Sequence, residues 1–191
     1  MAQAKPGNYL ACFPSYAYMT MAFRRYRMLW PYEDVICQES QMSERARQDF
    51  IERFQSAPRR SLVAFVVLGG VFAEGVDLPD DKLLGAAIVS TGIPQISFER
   101  ELLREQLNDA DDGGYDAAYT YPGLQRVIQA AGRVIRTDED RGVVLLMDMR
   151  YGQEKYRALM PPHWDVADVK KMSELNESLR RFWNRGKGEQ R

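Results

Sequence analysis

Short runs of apolar residues recur along this chain: Asn8–Phe13 (NYLACF), Asp34–Cys37 (DVIC), Leu62–Leu68 (LVAFVVL), Leu84–Val89 (LGAAIV) and Gly142–Met147 (GVVLLM). A strand with one wet face alternates apolar and polar residues, whereas a strand buried on both faces does not. Amphipathic stretches separate the runs. Ser15 is placed to cap a helix through Tyr18, Met21, Ala22, Arg25 and Leu29, and Ser43 a second one through Ala46, Phe50 and Phe54 that ends before Pro58. Buried strands alternating with helices predict an α/β fold, with a mostly parallel central sheet of about five strands flanked by helices on both faces. In such folds ligands meet the loops at the carboxyl ends of the strands.

The 191 residues suit one domain, and 45% hydrophobic with 28% charged residues is ordinary for a globular protein. No apolar run is long enough to span a membrane, and the first residues lack a secretion signal, so a cytoplasmic protein without membrane contact is expected. Net charge is −1. A dedicated nucleic-acid-binding domain would be basic, so contact with DNA must use a local patch or a groove shared with another domain. Cys12 and Cys37 lie in apolar runs without a second Cys or a His nearby, and read as small buried hydrophobes. His163 follows two prolines in an irregular stretch and reads as structural.

One stretch, about 97–119, breaks the rhythm. Seven acids and two bases fall between Glu99 and Asp116. It reads as an inserted helix and polar loop with a solvated acidic face. A last helix is expected over Asp168–Trp183, closing in a basic tail at about 180–191. With no repeat or low-complexity linker, residues 1–191 are drawn as one domain.

Two segments carry chemistry. Read as one continuous helix, Tyr121–Arg136 (YPGLQRVIQAAGRVIR) gathers Gln125, Arg126, Gln129, Arg133 and Arg136 on one arc, opposite Leu124, Val127, Ile128, Ala131, Val134 and Ile135. A solvated helix face interleaves acids with its bases, and this one has none. Guanidinium forks and amides suit phosphate oxygens. The second segment, Gly69–Pro79 (GGVFAEGVDLP), follows an apolar strand and offers two glycines, then Glu74, Gly75 and Asp77. No phosphate-cradling GxxxxGK[ST] and no acid box for Mg²⁺ occurs anywhere. Phosphoryl transfer needs a cradle, a metal and a charge-stabilising arginine, and here only the last is present. Such a domain would lend its arginines to a nucleotide held by a neighbour.

These segments resemble the second motor domain of superfamily 2 helicases of the XPD/DinG (Rad3-related) branch. GGVFAEGVDLP resembles motif V and QAAGRVIR, Gln129–Arg136, resembles motif VI, in the family's order and about 50 residues apart. GVVLLMD with Arg150 and Tyr151 resembles the ending that follows motif VI, and NYLACFPSYAYM, Asn8–Met19, resembles motif IV. The resemblance covers about residues 7–160. It implies a RecA-like three-layer domain. It also implies that Gln129 and Arg133 face the γ-phosphate of ATP and that Arg136 is an arginine finger acting in trans. Glu74, Gly75 and Asp77 would belong to the ATP-binding loop that couples nucleotide to DNA, and Ser15 and Tyr16 would lie near the path of single-stranded DNA. The implied partner is the N-terminal motor domain of the same protein, which would hold ATP and Mg²⁺. The family's iron–sulfur cluster, where present, sits in that first domain and not in this chain. An alternative is a catalytically inactive helicase-like module that binds nucleic acid or a partner protein. A dinucleotide site would need GxGxxG after the first strand, which ends in FPSY instead.

Overall fold

The computed structural model describes residues 1–54, 58–75, 83–107, 113–135 and 140–184. Five strands form one sheet: β1 (Asn8–Phe13), β2 (Asp34–Cys37), β3 (Leu62–Val67), β4 (Leu83–Val89) and β5 (Val143–Met147). Their order is β2-β3-β1-β4-β5 and every pairing is parallel. All six residues of β1, the middle strand, are buried. Its alternating side chains feed two cores, as the period of two requires. Leu10 and Cys12 join Phe50, Phe54, Phe72, Val127 and Ala130 on one face. Tyr9, Ala11 and Phe13 join Met19, Phe23, Val63 and Phe65 on the other.

Helix α1 (Tyr16–Leu29) covers the second face, where Phe65 stacks on Phe13 at 5.5 Å and meets the edges of Phe23 and Tyr26. The first face is covered by α2 (Glu44–Glu52), a wide helical turn at Val71–Gly75, and α4 (Tyr121–Ala131), with α3 (Phe98–Gln106) lying outside it. Ser15 and Ser43 cap α1 and α2, accepting from Tyr18 N and Ala46 N. Phe50 packs on Phe72 at 4.2 Å, tying α2 to the turn after β3. Among the described residues no helix is long and apolar enough to cross a membrane.

Three sequence expectations need correction. The helix expected over Tyr121–Arg136 ends at Ala131. Arg133 N bonds to Ala130 O and Val134 N to Ala131 O, a tightening that closes the helix and turns Val134 inward. Val134 then packs against Gly142, where a Cβ would lie 2.1 Å from its Cγ1. The stretch at 97–119 is not all solvated insertion. A short turn at Gly113–Tyr115 and a wide turn at Asp116–Thr120 run unbroken into α4, and Asp116, Ala118, Tyr119 and Thr120 are buried. Asp116 pairs with Lys155 Nζ at 2.6 Å. The last helix, α6 (Met172–Asn184), starts later than expected, because Glu174 Oε2 accepts from the backbone N–H of Lys170 and Lys171 and fixes its start. A short α5 (Glu154–Ala158) precedes it.

The end of β4 holds the one non-glycine residue with positive φ among those described, Ser90 at 73°. Such a conformation persists only where its surroundings over-determine it. Tyr151 donates its hydroxyl to Ser90 O at 2.7 Å, and Arg150 reaches Ser90 Oγ at 3.5 Å. Arg150 is itself fixed by both oxygens of Asp148, at 2.9 and 2.8 Å, and these bonds hold the Asp148 carboxyl below its ordinary range. The D-x-R-aromatic ending is thus a clamp on the β4 turn. Tyr151→Phe is expected to cost about 1 kcal/mol in chemical denaturation, from one lost hydrogen bond to a buried carbonyl. An unchanged midpoint would mean the clamp does not hold the turn.

Candidate nucleotide and nucleic-acid edges

The parallel sheet has two distinct edges, and the candidate residues divide between them. At the carboxyl edge, β1 runs through Pro14 into Ser15 and Tyr16, and β3 runs into Gly69 and Gly70. Ser15 is half-buried, with its hydroxyl committed to the α1 cap. Tyr16 is exposed, and its hydroxyl accepts from Gln38 Nε2 at 2.9 Å. Gln38 Oε1 accepts from Val67 N, also at 2.9 Å. This buried glutamine joins the ends of β2 and β3 to Tyr16 and so fixes the tyrosine's place on the edge. The sequence offered no signal for it, since a lone Gln after a short strand has no pattern. Gly69, at φ 80°, brings its backbone close to Arg126, with an added Cβ only 3.2 Å from the guanidinium carbon. Arg126 therefore ties α4 to the loop after β3. Glu74 and Gly75 close the helical turn that follows. Asp77 lies outside the described residues.

Helix α4 carries the remaining candidates to the opposite edge. Near its start, Gly123 lies against the end of β4, where an added Cβ would come 2.8 Å from Thr91 O and 2.9 Å from Ile93 N. Beyond its end, Val134 lies against Gly142, just before β5 begins. The helix thus runs down the sheet, from carboxyl edge to amino edge. Gln129 is exposed on its last turn, and Arg133, half-buried, sits in the turn beyond it. Arg126 and Arg133 are each engaged by a polar, ionic or ring contact of their own. Arg136 lies outside the described residues. The sequence reading placed a ligand at the carboxyl edge, whereas Gln129 and Arg133 fall toward the amino edge. A seven-residue strand separates the edges by about 20 Å at 3.3 Å per residue. One small ligand cannot touch both groups.

The fit to a nucleotide is partial. An amide and a guanidinium can receive phosphate oxygens. Among the described residues no group of His, Cys, Asp or Glu is placed to hold a metal ion. Burial pushes the Cys12 thiol up to about 12, so it is neither ligand nor nucleophile.

A five-stranded, all-parallel sheet covered by helices, with an arginine-bearing helix running from one edge to the other, defines a RecA-like α/β domain. The model of the helicase C-terminal domain matches residues 1–167. The chain belongs to that family, in its XPD/Rad3-related branch. It is 27% identical over 165 residues to the XPD helicase subunit of general transcription and DNA repair factor IIH from Schizosaccharomyces pombe, covering 82% of this chain and 21% of that protein. It is 28% identical over 205 residues to a regulator of telomere elongation helicase 1 homolog from Arabidopsis thaliana, covering 91% of this chain and 19% of that protein. The chain thus spans about a fifth of the length of these relatives. A solved structure of apo XPD superposes with a TM-score of 0.63 at 22% identity, over 82% of this chain and 31% of that one. An XPD helicase structure gives 0.62 at 24% identity, over 80% and 26%.

Proposed function

We propose that this chain is the second motor domain of an ATP-dependent DNA helicase. It completes an ATP site whose phosphate cradle and Mg²⁺ ligands belong to a first motor domain of the same longer protein. The observation that carries the reading is the course of α4. It delivers Gln129 and Arg133 toward the amino edge of the sheet, while Ser15, Tyr16 and the Gly69–Gly75 loop begin at the carboxyl edge. Nucleotide and single-stranded DNA would then occupy opposite edges, joined by the helix. In this reading Gln129 and Arg133 meet the γ-phosphate and Arg136 acts as the arginine finger. Glu74, Gly75 and Asp77 link that site to the DNA-facing loop.

The chain's own part in the reaction is electrostatic. A guanidinium brought onto developing phosphoryl charge stabilises it, and one supplied by a neighbouring domain is worth about 10³–10⁵ in rate. ATP with bound Mg²⁺ would contribute the reacting phosphoryl group and its charge neutralisation from the first domain. Arg133 and Arg126 would exchange their present contacts as the cleft closes. Closed and open clefts then differ in affinity for single-stranded DNA, which Tyr16 would meet by stacking without sequence preference.

The 191-residue chain alone is expected neither to hydrolyse ATP nor to bind it tightly, because it lacks the cradle. Titration with a fluorescent ATP analogue and a phosphate-release assay test this. Turnover by the purified chain that survives a further purification step would defeat the two-domain reading.

A further inference from the structure

Helix α3 is amphipathic the wrong way round. Three of its five charged residues turn toward the protein: Arg100 Nη1 donates to Ala118 O at 2.8 Å, Glu101 Oε1 accepts from Tyr119 OH at 2.5 Å, and Arg104 pairs with Glu101 at 3.0 Å. Its apolar residues face solvent. Ile96 and Phe98 are 81% and 79% exposed, and Leu102, Leu103 and Leu107 are exposed with them. No residue of α3 is buried. A surface helix ordinarily buries its apolar stripe, so an anchored helix that presents it outward marks a contact surface. Phe98 with Leu102, and Leu103 with Leu107, form two ridges at i,i+4 spacing, with Glu99 between them and Glu105 at the rim.

Charge and place narrow what covers this surface. The outward carboxylates Glu99 and Glu105 repel a phosphate backbone, which removes nucleic acid. The helix packs beside the turn at Asp116–Thr120, which feeds α4 at the carboxyl edge. On the reading above the first motor domain covers the amino edge, so α3 is left for something else. We propose that the outward face of α3, centred on Phe98 and Leu102, docks a helix of a partner protein whose apolar stripe is flanked by lysines or arginines. Two apolar ridges accept such a stripe, and the glutamates pair with its basic flanks.

The test uses the 191-residue chain and two synthetic amphipathic helices of about 18 residues, or five turns. One is built from leucine and lysine, the other from leucine and glutamate, and binding is read by fluorescence anisotropy. The lysine helix is expected to bind and the glutamate helix not. Phe98→Ser with Leu102→Asp should weaken binding about tenfold or more, since central apolar anchors carry most of an interface's energy. These side chains are exposed, so circular dichroism should be unchanged. Glu99→Lys with Glu105→Lys, which leaves the ridges intact, should reverse the preference between the two helices. Equal binding of both helices, or undiminished binding of the lysine helix to the Phe98/Leu102 variant, overturns the proposal. Self-association of the chain that Leu102→Asp abolishes would overturn it too, by assigning the surface to a second copy. The choice of occupant rests on the motor reading, but none of these readouts involves ATP, so failure of the docking surface is distinguishable from failure of that reading.

Discussion

Arg136→Ala in the longer protein is expected to lower DNA-stimulated ATP turnover by about 10³-fold or more while leaving the thermal midpoint unchanged. The effect is one of charge. In the transition state negative charge spreads over the transferred phosphoryl group, and a guanidinium in a water-poor cleft opposes it far more strongly than solvent does. Arg133→Ala is expected to act in the same direction, with part of the loss in KM, because Arg133 would also meet the γ-phosphate before reaction. Lysine is expected to rescue neither position, since it cannot present a planar fork to two oxygens. Steady-state ATPase with and without single-stranded DNA gives both numbers. Normal turnover by Arg136→Ala would remove the finger and leave the chain a helicase-like binding module.

The largest stability effect is expected at a glycine. Gly92 has φ 71°, and an added Cβ would lie 2.4 Å from Gly123 O and 3.1 Å from Leu68 Cδ2. Alanine there carries about 1–2 kcal/mol of left-handed strain. Forcing apart a packed contact adds about 1–3 kcal/mol. The obstacle is backbone at the start of α4, so relief by a side-chain rotation is closed. At roughly 2–4 °C per kcal/mol for a chain of this size, Gly92→Ala should lower Tm by roughly 5–15 °C. Gly152→Ala is the control, since nothing lies within 4 Å of its added Cβ. Equal midpoints for the two variants would show that β4 and α4 do not meet as closely as the backbone places them.

The same contact explains what was legible beforehand. The strands were readable because apolar β-branched runs such as LVAFVVL have few other uses, and both serine caps were readable because they act within three residues. Each of these signals is local. The end of α4 was not readable, because Val134 leaves the helix to meet Gly142, eight positions on in sequence and across the end of the sheet. Asp116 sat in an acidic run, and its partner Lys155 is remote in the chain. Gln38 acquires its role from Tyr16 and Val67, which only the fold brings near. The edge on which Gln129 and Arg133 lie was not legible for a related reason. Motif spacing says that Gly69–Gly75 and Gln129–Arg136 belong together, but not that a helix crossing the sheet carries Gln129 and Arg133 away from the Gly69 loop. The outward face of α3 was hidden likewise: read alone, its run of acids pointed to a solvated polar face and its leucines gave no signal.

The account depends on the amino edge of the sheet facing a nucleotide held by another domain. A structure of the longer protein with ADP and a transition-state mimic of the γ-phosphate tests this most directly. The guanidinium of Arg136, with Arg133 and Gln129 beside it, is predicted at about 3 Å from the mimic's equatorial oxygens. A nucleotide bound with the amino edge of this domain open to solvent, and both arginines far from its phosphates, would contradict it.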